Sequence, residues 1–299
     1  MQKSRFRTSV ENILLENILK TAIKEDAAKD YYTIQRIDKL FNEYINKLTS
    51  LVNPDKFYSD RDLIEELHVT LHDNFGPTTV IIRAKEGNRH NFNGLDSGYY
   101  IPDKNILVIV LDALIYNHSR DTDWPVYGTR TGISGEEGFI GKHVLEIVNN
   151  EYFRIVFFHE YQHVIDTKER NFTSKSMSKL NKKLQQLDKR TDLDDYDLRQ
   201  KVYDTYFNSE HETNARYTAL VDYTLNKISK YLNRREDEYG TNNFADLSKE
   251  DKIEFFLNNI RFDKKWQQEW RLLTPEYRRK FINRLYRLFS DESIWKESK

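Results

Sequence analysis

Two histidines four residues apart, with a glutamate directly after the first, lie in the segment Phe157-Phe158-His159-Glu160-Tyr161-Gln162-His163-Val164-Ile165-Asp166. On an α-helix, residues four apart are offset by about 40° and one turn, so both imidazoles project from one face. Imidazoles so placed can share one Zn2+ at about 2.0–2.1 Å each. Glu160 sits one position round from His159, near enough to take a proton from a water polarised by the ion without being a ligand itself. Chance puts this pattern into a chain with eight histidines on the order of 2% of the time. The competing explanation is two histidines hydrogen-bonded at the edge of a core, with Glu160 solvated.

A hydrolytic zinc needs a third protein ligand and an open fourth position. Downstream lies Ser209-Glu210-His211-Glu212-Thr213-Asn214-Ala215-Arg216-Tyr217-Thr218-Ala219. Counting three, four and seven on from Glu212 gives Ala215, Arg216 and Ala219, one face of a second helix. Two alanines there let that backbone come close enough to the first helix for a short carboxylate to reach a shared ion. Ser209 and Glu212 also read as a capping box, which needs no metal. Glu210 and His211 are the fallback ligands in the same turn.

HExxH followed by Glu-x-x-Ala on a later helix resembles the gluzincin group of zinc metallopeptidases, closest in style to the small cytosolic ImmA/IrrE-like kind. The resemblance covers Thr78 to Leu225. It implies a Zn2+ cofactor held by His159, His163 and Glu212, Glu160 as general base, and a peptide or protein substrate. Two residues depart from the pattern. Arg216 stands where that group often has Asp or Asn, and no histidine follows His211, which removes a downstream histidine as oxyanion donor. Tyr217 is then the first candidate for that donor and His211 the second. A metzincin pattern would put glycine at Asp166 and the third ligand at Glu169. Without the glycine that turns the chain there, that alternative is disfavoured, and Asp166 is free to orient an imidazole instead. The rival of a different class is a catalytically silent protein of the same fold that acts by binding through its helical regions.

The elements that must position these residues follow from composition and period. Nine of ten glycines and three of five prolines fall between Gly76 and Gly141, with nearly continuous helical patterning on either side. That shift predicts an α+β protein of zincin-like type: a small antiparallel or mixed sheet packed on the active-site helix, with extensive helical additions at both ends. The expected divisions are 1–75, an N-terminal helical region; 76–230, a metallopeptidase core with a helical insertion over 170–207; and 231–299, a C-terminal helical region. A net charge of −1 and the absence of cysteine argue against a nucleic-acid or membrane-surface partner and fit a reducing compartment. The start of the chain carries no apolar signal region, so a soluble, cytoplasmic protein is expected.

Along the chain, Val10 to Ile23 and Ile34 to Leu48 carry helical stripes. Ser59 caps a third helix containing Leu63, Leu67 and Leu71, on which His68 and His72 repeat the four-residue spacing without a glutamate between and read as exposed or packed histidines. Thr78 to Ala84 reads as a strand. Tyr99-Tyr100-Ile101 and Ile106 to Leu111 read as a hairpin about Pro102-Asp103-Lys104-Asn105. In such a fold the sheet's edge is suited to an extended peptide. The glycine-rich stretch 119–142 has the length of a lid or binding loop. His143 opens a short helix, and Asn149 or Asn150 caps the HExxH helix. Lys175 to Tyr206 reads as a charged helical hairpin with Leu180, Leu184, Leu187 and Leu198 inward. From Lys264 to Arg287 the helices are basic with interleaved aromatics, the one place where nucleic acid could bind, although a solvated helix face explains it as well.

Overall fold

The computed structural model describes residues 23–85, 97–118, 130–131, 137–170, 195–234 and 246–290. The architecture is mixed α and β, mostly helical with two small sheets. Two compact units divide the chain, 35–223 and a second made of 1–34 with 224–299. Residues 35–75 supply to the sheet-bearing unit most of one long helix, a short helix and two strands.

That helix, α1 (Ile23–Leu51), buries Ile37, Leu40, Phe41, Tyr44 and Leu48 at intervals of three and four, the spacing of a core-facing stripe. After β1 (Phe57–Ser59), Ser59 caps α2 (Asp60–Glu66): its side chain accepts from the Asp62 N–H while Asp62 reaches back to the Ser59 N–H. The helix stops there. The expected continuation through Leu71 is instead strand β2 (Val69–Asp73), in which Val69 and Leu71 are buried. Pairing of Val69–Asp73 with β3 (Gly76–Arg83) overrides the local helical spacing. His68 thus lies before the strand and His72 on it, so the two share no helix face.

A Gly76 at φ 101° makes the turn from β2 to β3, a backbone position that glycine occupies without strain. The hairpin of β4 (Gly98–Ile101) and β5 (Ile106–Val110) forms as expected, with Asn105 left-handed at φ 51°. The sheet order is β2-β3-β5-β4, with β3 parallel to β5 and the other pairs antiparallel. Central β5 is covered on both faces, and Leu107 to Val110 are all buried. One face packs Val108 and Val110 with Ala113 of α3 (Leu111–His118). A second sheet, β1-β7-β6, joins β6 (Arg130–Thr131) and β7 (Glu137–Ile140) to Phe57–Ser59. Most of the expected 119–142 loop and Leu180, Leu184 and Leu187 lie outside the described residues, as does most of the Val10 to Ile23 stripe.

Helix α4 (Gly141–Val148) precedes the 20-residue α5 (Glu151–Arg170), which carries the HExxH segment. Asn150 caps α5, its side-chain oxygen accepting from the Tyr152 N–H at 2.9 Å. Phe153 stacks on Tyr44 of α1, and Phe157 meets Tyr44 at a tilt and Phe41 edge to face, at ring distances of 5.2–6.0 Å. The other side of α5 packs on β4 and β5. Helix α6 (Asp195–Phe207) leads to α7 (Glu210–Arg234). Arg154 joins α5 to α7 through Asp222 at 2.7 Å and to α1 through Asp38 at 2.6 Å.

In the second unit, α8 (Lys249–Phe262), α9 (Lys264–Leu272) and α10 (Pro275–Ser290) close around fully buried Trp266, whose indole N–H donates to Thr224 at 2.7 Å. Part of the basic C-terminal character is used internally: Arg284 grips Asp30 with two bonds, and Arg278 donates to the Trp270 and Arg271 carbonyls. No described helix is long and apolar enough to cross a membrane.

Candidate metal centre

His159 and His163 project from one face of α5 with their rings edge to face and their Nε2 atoms 3.2 Å apart. Glu212, in the first turn of α7, completes a triangle. One of its oxygens lies 3.3 Å from His159 Nε2, and the other lies 3.2 Å from His163 Nε2. Donors around a tetrahedral Zn2+ at 2.0–2.1 Å stand about 3.3 Å from one another. The triangle has the size of such an ion's coordination sphere, and two imidazoles with one carboxylate are a donor set that Zn2+ takes. Among the described residues, these three form the one group of histidines and carboxylates spaced to hold a metal ion.

The capping question is settled by where the bonds go. Ser209 does cap α7, accepting from the Glu212 N–H at 3.3 Å. Its own N–H, which a capping box would give to the Glu212 side chain, donates instead to the Tyr206 carbonyl at 2.9 Å. The carboxylate is therefore released to the imidazoles. Ala215 and Ala219 are buried on α7, as a close approach of the two helices requires.

A buried polar brace fixes the register of α5 against α7. Asp166 accepts from the Gln162 amide at 2.9 Å and the Asn214 amide at 2.6 Å, and Thr218 donates to Gln162 at 2.9 Å. Asp166 is fully buried and serves this brace, and its charge also helps to raise the His163 pKa. Neither Asn214 nor Gln162 stands out by residue type; the signal that could have found them is polar residues at helical spacing on two apolar faces. Glu169, the metzincin-type position, is held by Arg36 at 2.8 Å, and Glu210 is exposed.

Glu160 lies beside the triangle, buried under the edge strand. A Cβ built at Gly98 of β4 would stand 2.9 Å from Glu160 Cγ and 2.9 Å from Val156 Cγ1, so the missing side chain is what lets strand and helix meet. Burial pushes the Glu160 carboxyl above its usual range, partly opposed by His159 and His163. Burial would raise Glu212 too, but the two imidazoles outweigh it and hold that carboxyl well below its usual range. For His163, burial pulls downward while the hydrogen bond to Glu212 and the nearby carboxylates prevail, and its pKa rises. His163 Nδ1 is buried without a hydrogen-bond partner, so the ring's orientation is set by packing and by the Nε2 contact with Glu212. Its face is covered by the His211 ring at 3.8 Å. His211 is driven down to about 3 by burial and by the neighbouring His163 and stays neutral. Tyr217 is buried; five residues past Glu212, it is turned about 140° round the α7 axis from it. Arg216 approaches the centre, its Nε 3.7 Å from Glu212 and its guanidinium carbon 3.6 Å over the Phe207 ring.

No protein-family model matches the chain, and neither curated proteins nor solved structures give a match.

Proposed function

We propose that the chain is a zinc-dependent metallopeptidase with a zincin-like fold, of the gluzincin kind, acting on peptides or unfolded protein in the cytoplasm. The observation that carries the reading is the triangle of donors at 3.2–3.3 Å with Glu160 buried beside it. The sheet supports it: among the described residues β4 pairs with β5 alone, which leaves a strand edge above the HExxH helix where an extended peptide can add by backbone hydrogen bonds. A set of three donors, the number found among the described residues, suits the fourth position that hydrolysis needs and a structural zinc lacks.

His159, His163 and Glu212 would hold the ion, which when bound supplies Lewis acidity and lowers the pKa of its water to about 7. Glu160 accepts the proton of the attacking water, and its upward-shifted pKa suits a group that must hold that proton and then give it to the departing amine nitrogen. Gly98 keeps Glu160 covered and the strand close. The Asp166–Asn214 bond holds Glu212 in register with the histidines.

The test is Glu160→Gln, which keeps volume and helix and removes the base. It retains metal and fold and loses at least about 10²-fold in cleavage of an unstructured protein, followed by mass spectrometry. Equal cleavage by both proteins refutes the assignment of Glu160. Metal uptake with cleavage by neither favours a binding protein that keeps the centre without turnover.

A further inference from the structure

A histidine that ligates a metal is usually held by a hydrogen bond from its other ring nitrogen, which fixes the tautomer and the tilt of the ring. His163 lacks that hold: its Nδ1 is buried and hydrogen-bonds nothing among the described residues. We propose that His211 takes over the task as a positioning residue, holding the His163 imidazole at the tilt a metal ligand needs by covering its face. The inference rests on the metal centre of the reading above.

The atoms that touch His163 divide into those an ion would take and those it would leave. Its Nε2 meets a Glu212 oxygen at 3.2 Å, but both of these atoms are donors to the ion, so once bound to it neither steadies the other by a hydrogen bond. The His159 ring stands at a right angle, with centroids 4.8 Å apart. As a fellow ligand it shares the ion and does not brace His163 from outside the triangle. His211 is different. Its ring lies at 28° to that of His163 with centroids 3.8 Å apart, a separation at which the two faces are in van der Waals contact. An imidazole covered in this way cannot swing about its Cβ–Cγ bond without driving an edge into its neighbour.

The backbone that carries His211 is itself anchored to α5. His211, Asn214 and Thr218 recur at intervals of three and four along α7, which places them on one face. Asn214 donates to Asp166 at 2.6 Å and Thr218 to Gln162 at 2.9 Å, so that face is the one turned to α5. His211 stands in the first turn of α7, directly before Glu212 and under the Ser209 cap. One turn of helix thus delivers the third ligand and the ring that steadies the second. The contact is made by ring faces, so a flat ring, and not a nitrogen atom, is what the position requires. That separates positioning from ligation, for which the nitrogen is indispensable.

The experiment uses full-length protein and Co2+, whose visible absorption reports the geometry of its donors. His211→Phe keeps a ring and removes both nitrogen atoms, whereas His211→Gln keeps polar atoms and removes the ring. His211→Gln binds Co2+ about 10- to 100-fold more weakly than wild type, the size of loss seen when the support of a ligand is removed, and its absorption band shifts. His211→Phe keeps the affinity and the band of the wild type. If His211→Gln does not fold, His211→Leu takes its place in the comparison. Equal Co2+ affinity in wild type and His211→Gln overturns this proposal alone. A loss in His211→Phe as large as that in His211→Gln also overturns it, because a nitrogen of His211 would then be what the centre needs, as for a ligand. Failure of the wild type to bind Co2+ overturns the peptidase reading and this inference with it.

Discussion

Glu212→Gln separates a metal ligand from a helix cap. The substitution keeps volume, and the cap survives, because Ser209 accepts from the residue-212 backbone N–H at 3.3 Å rather than from its side chain. What is lost is one negative charge in a buried triangle whose two other corners are neutral nitrogen donors once metal is bound. Removing a hydrogen-bonding neighbour of a metal ligand already costs about 10–100-fold in affinity. Losing the single anionic ligand costs more, at least about 10³-fold, or roughly 4 kcal/mol. The metal-free protein loses less, about 1–2 kcal/mol, since glutamine replaces part of the charge-assisted bonding to the imidazoles. Glu210→Gln and Glu169→Gln serve as comparisons. The first residue is exposed, and the second is engaged by Arg36, so both variants keep metal affinity within about tenfold of wild type. Competition with a chromophoric chelator measures all three. Unchanged affinity in Glu212→Gln, or an equal fall in either comparison, refutes the ligand set.

Acid and backbone crowding give two further tests. In the metal-free protein His163 is raised above its ordinary 6.5 and Glu212 is held well below its ordinary 4.5. The histidine stabilises the fold fully below about 6.5 and loses that contribution as pH rises through its folded pKa. The glutamate stabilises fully above about 4.5 and loses its contribution as pH falls through its folded pKa. The pair therefore supports the metal-free fold most between those values. Metal uptake below about pH 6.5 displaces a proton from His163, whose pKa lies above that value, and affinity falls with acid. Calorimetry in buffers of different ionisation enthalpy reads that proton, and uptake without proton release contradicts the assignment. Gly98→Ala puts a methyl 2.9 Å from Glu160 and Val156 and 3.1 Å from the Val108 carbonyl oxygen, and backbone cannot yield as a side chain does. Overpacking of this kind costs about 1–3 kcal/mol by denaturant unfolding, with metal affinity unchanged because no ligand is touched. A neutral effect on stability means that β4 does not sit so tightly on α5.

The parts of the fold that were legible in the sequence are those where one helix or one hairpin carries its own pattern. The α5 helix announces itself by its period and its Asn150 cap, and the β4–β5 hairpin by its Pro-Asp-Lys-Asn turn. The place of Glu212 beside the histidines was legible because the two alanines on its face marked a close approach; the capping box was not excluded by spacing, and it is absent because the Ser209 N–H goes to Tyr206. What failed was non-local. Leu63, Leu67 and Leu71 fit a helix, yet Leu71 faces the core from a strand, since alternation over Val69 to Asp73 is satisfied only by pairing with β3. The parallel pairing of β3 with β5 leaves no local trace, because β4 intervenes in sequence but lies outside β5 in the sheet. The Asp166–Asn214 bond joins residues 48 apart, a distance at which spacing rules have nothing to say.

Two carboxylates on α5 show how structural and chemical demands are told apart. Asp166 and Glu160 both lie on a helix that crosses the core, and both are nearly removed from water. A buried carboxylate is tolerated when donors compensate it. Asp166 has them, the amides of Gln162 and Asn214, one on each oxygen, and its place in the brace explains it without any chemistry. Among the described residues none hydrogen-bonds the Glu160 carboxylate, which feels the charges of the imidazoles, Glu212 and Arg216. Its stem is packed under Gly98 and against Val156. A scaffold without a reaction to perform would gain from a glutamine or a leucine at this position. A site that must take a proton from water and return it to an amine needs the carboxylate, covered and left with its hydrogen-bonding capacity unspent. The contrast between these two residues, more than the motif that contains one of them, is the ground on which catalysis is proposed in addition to metal binding.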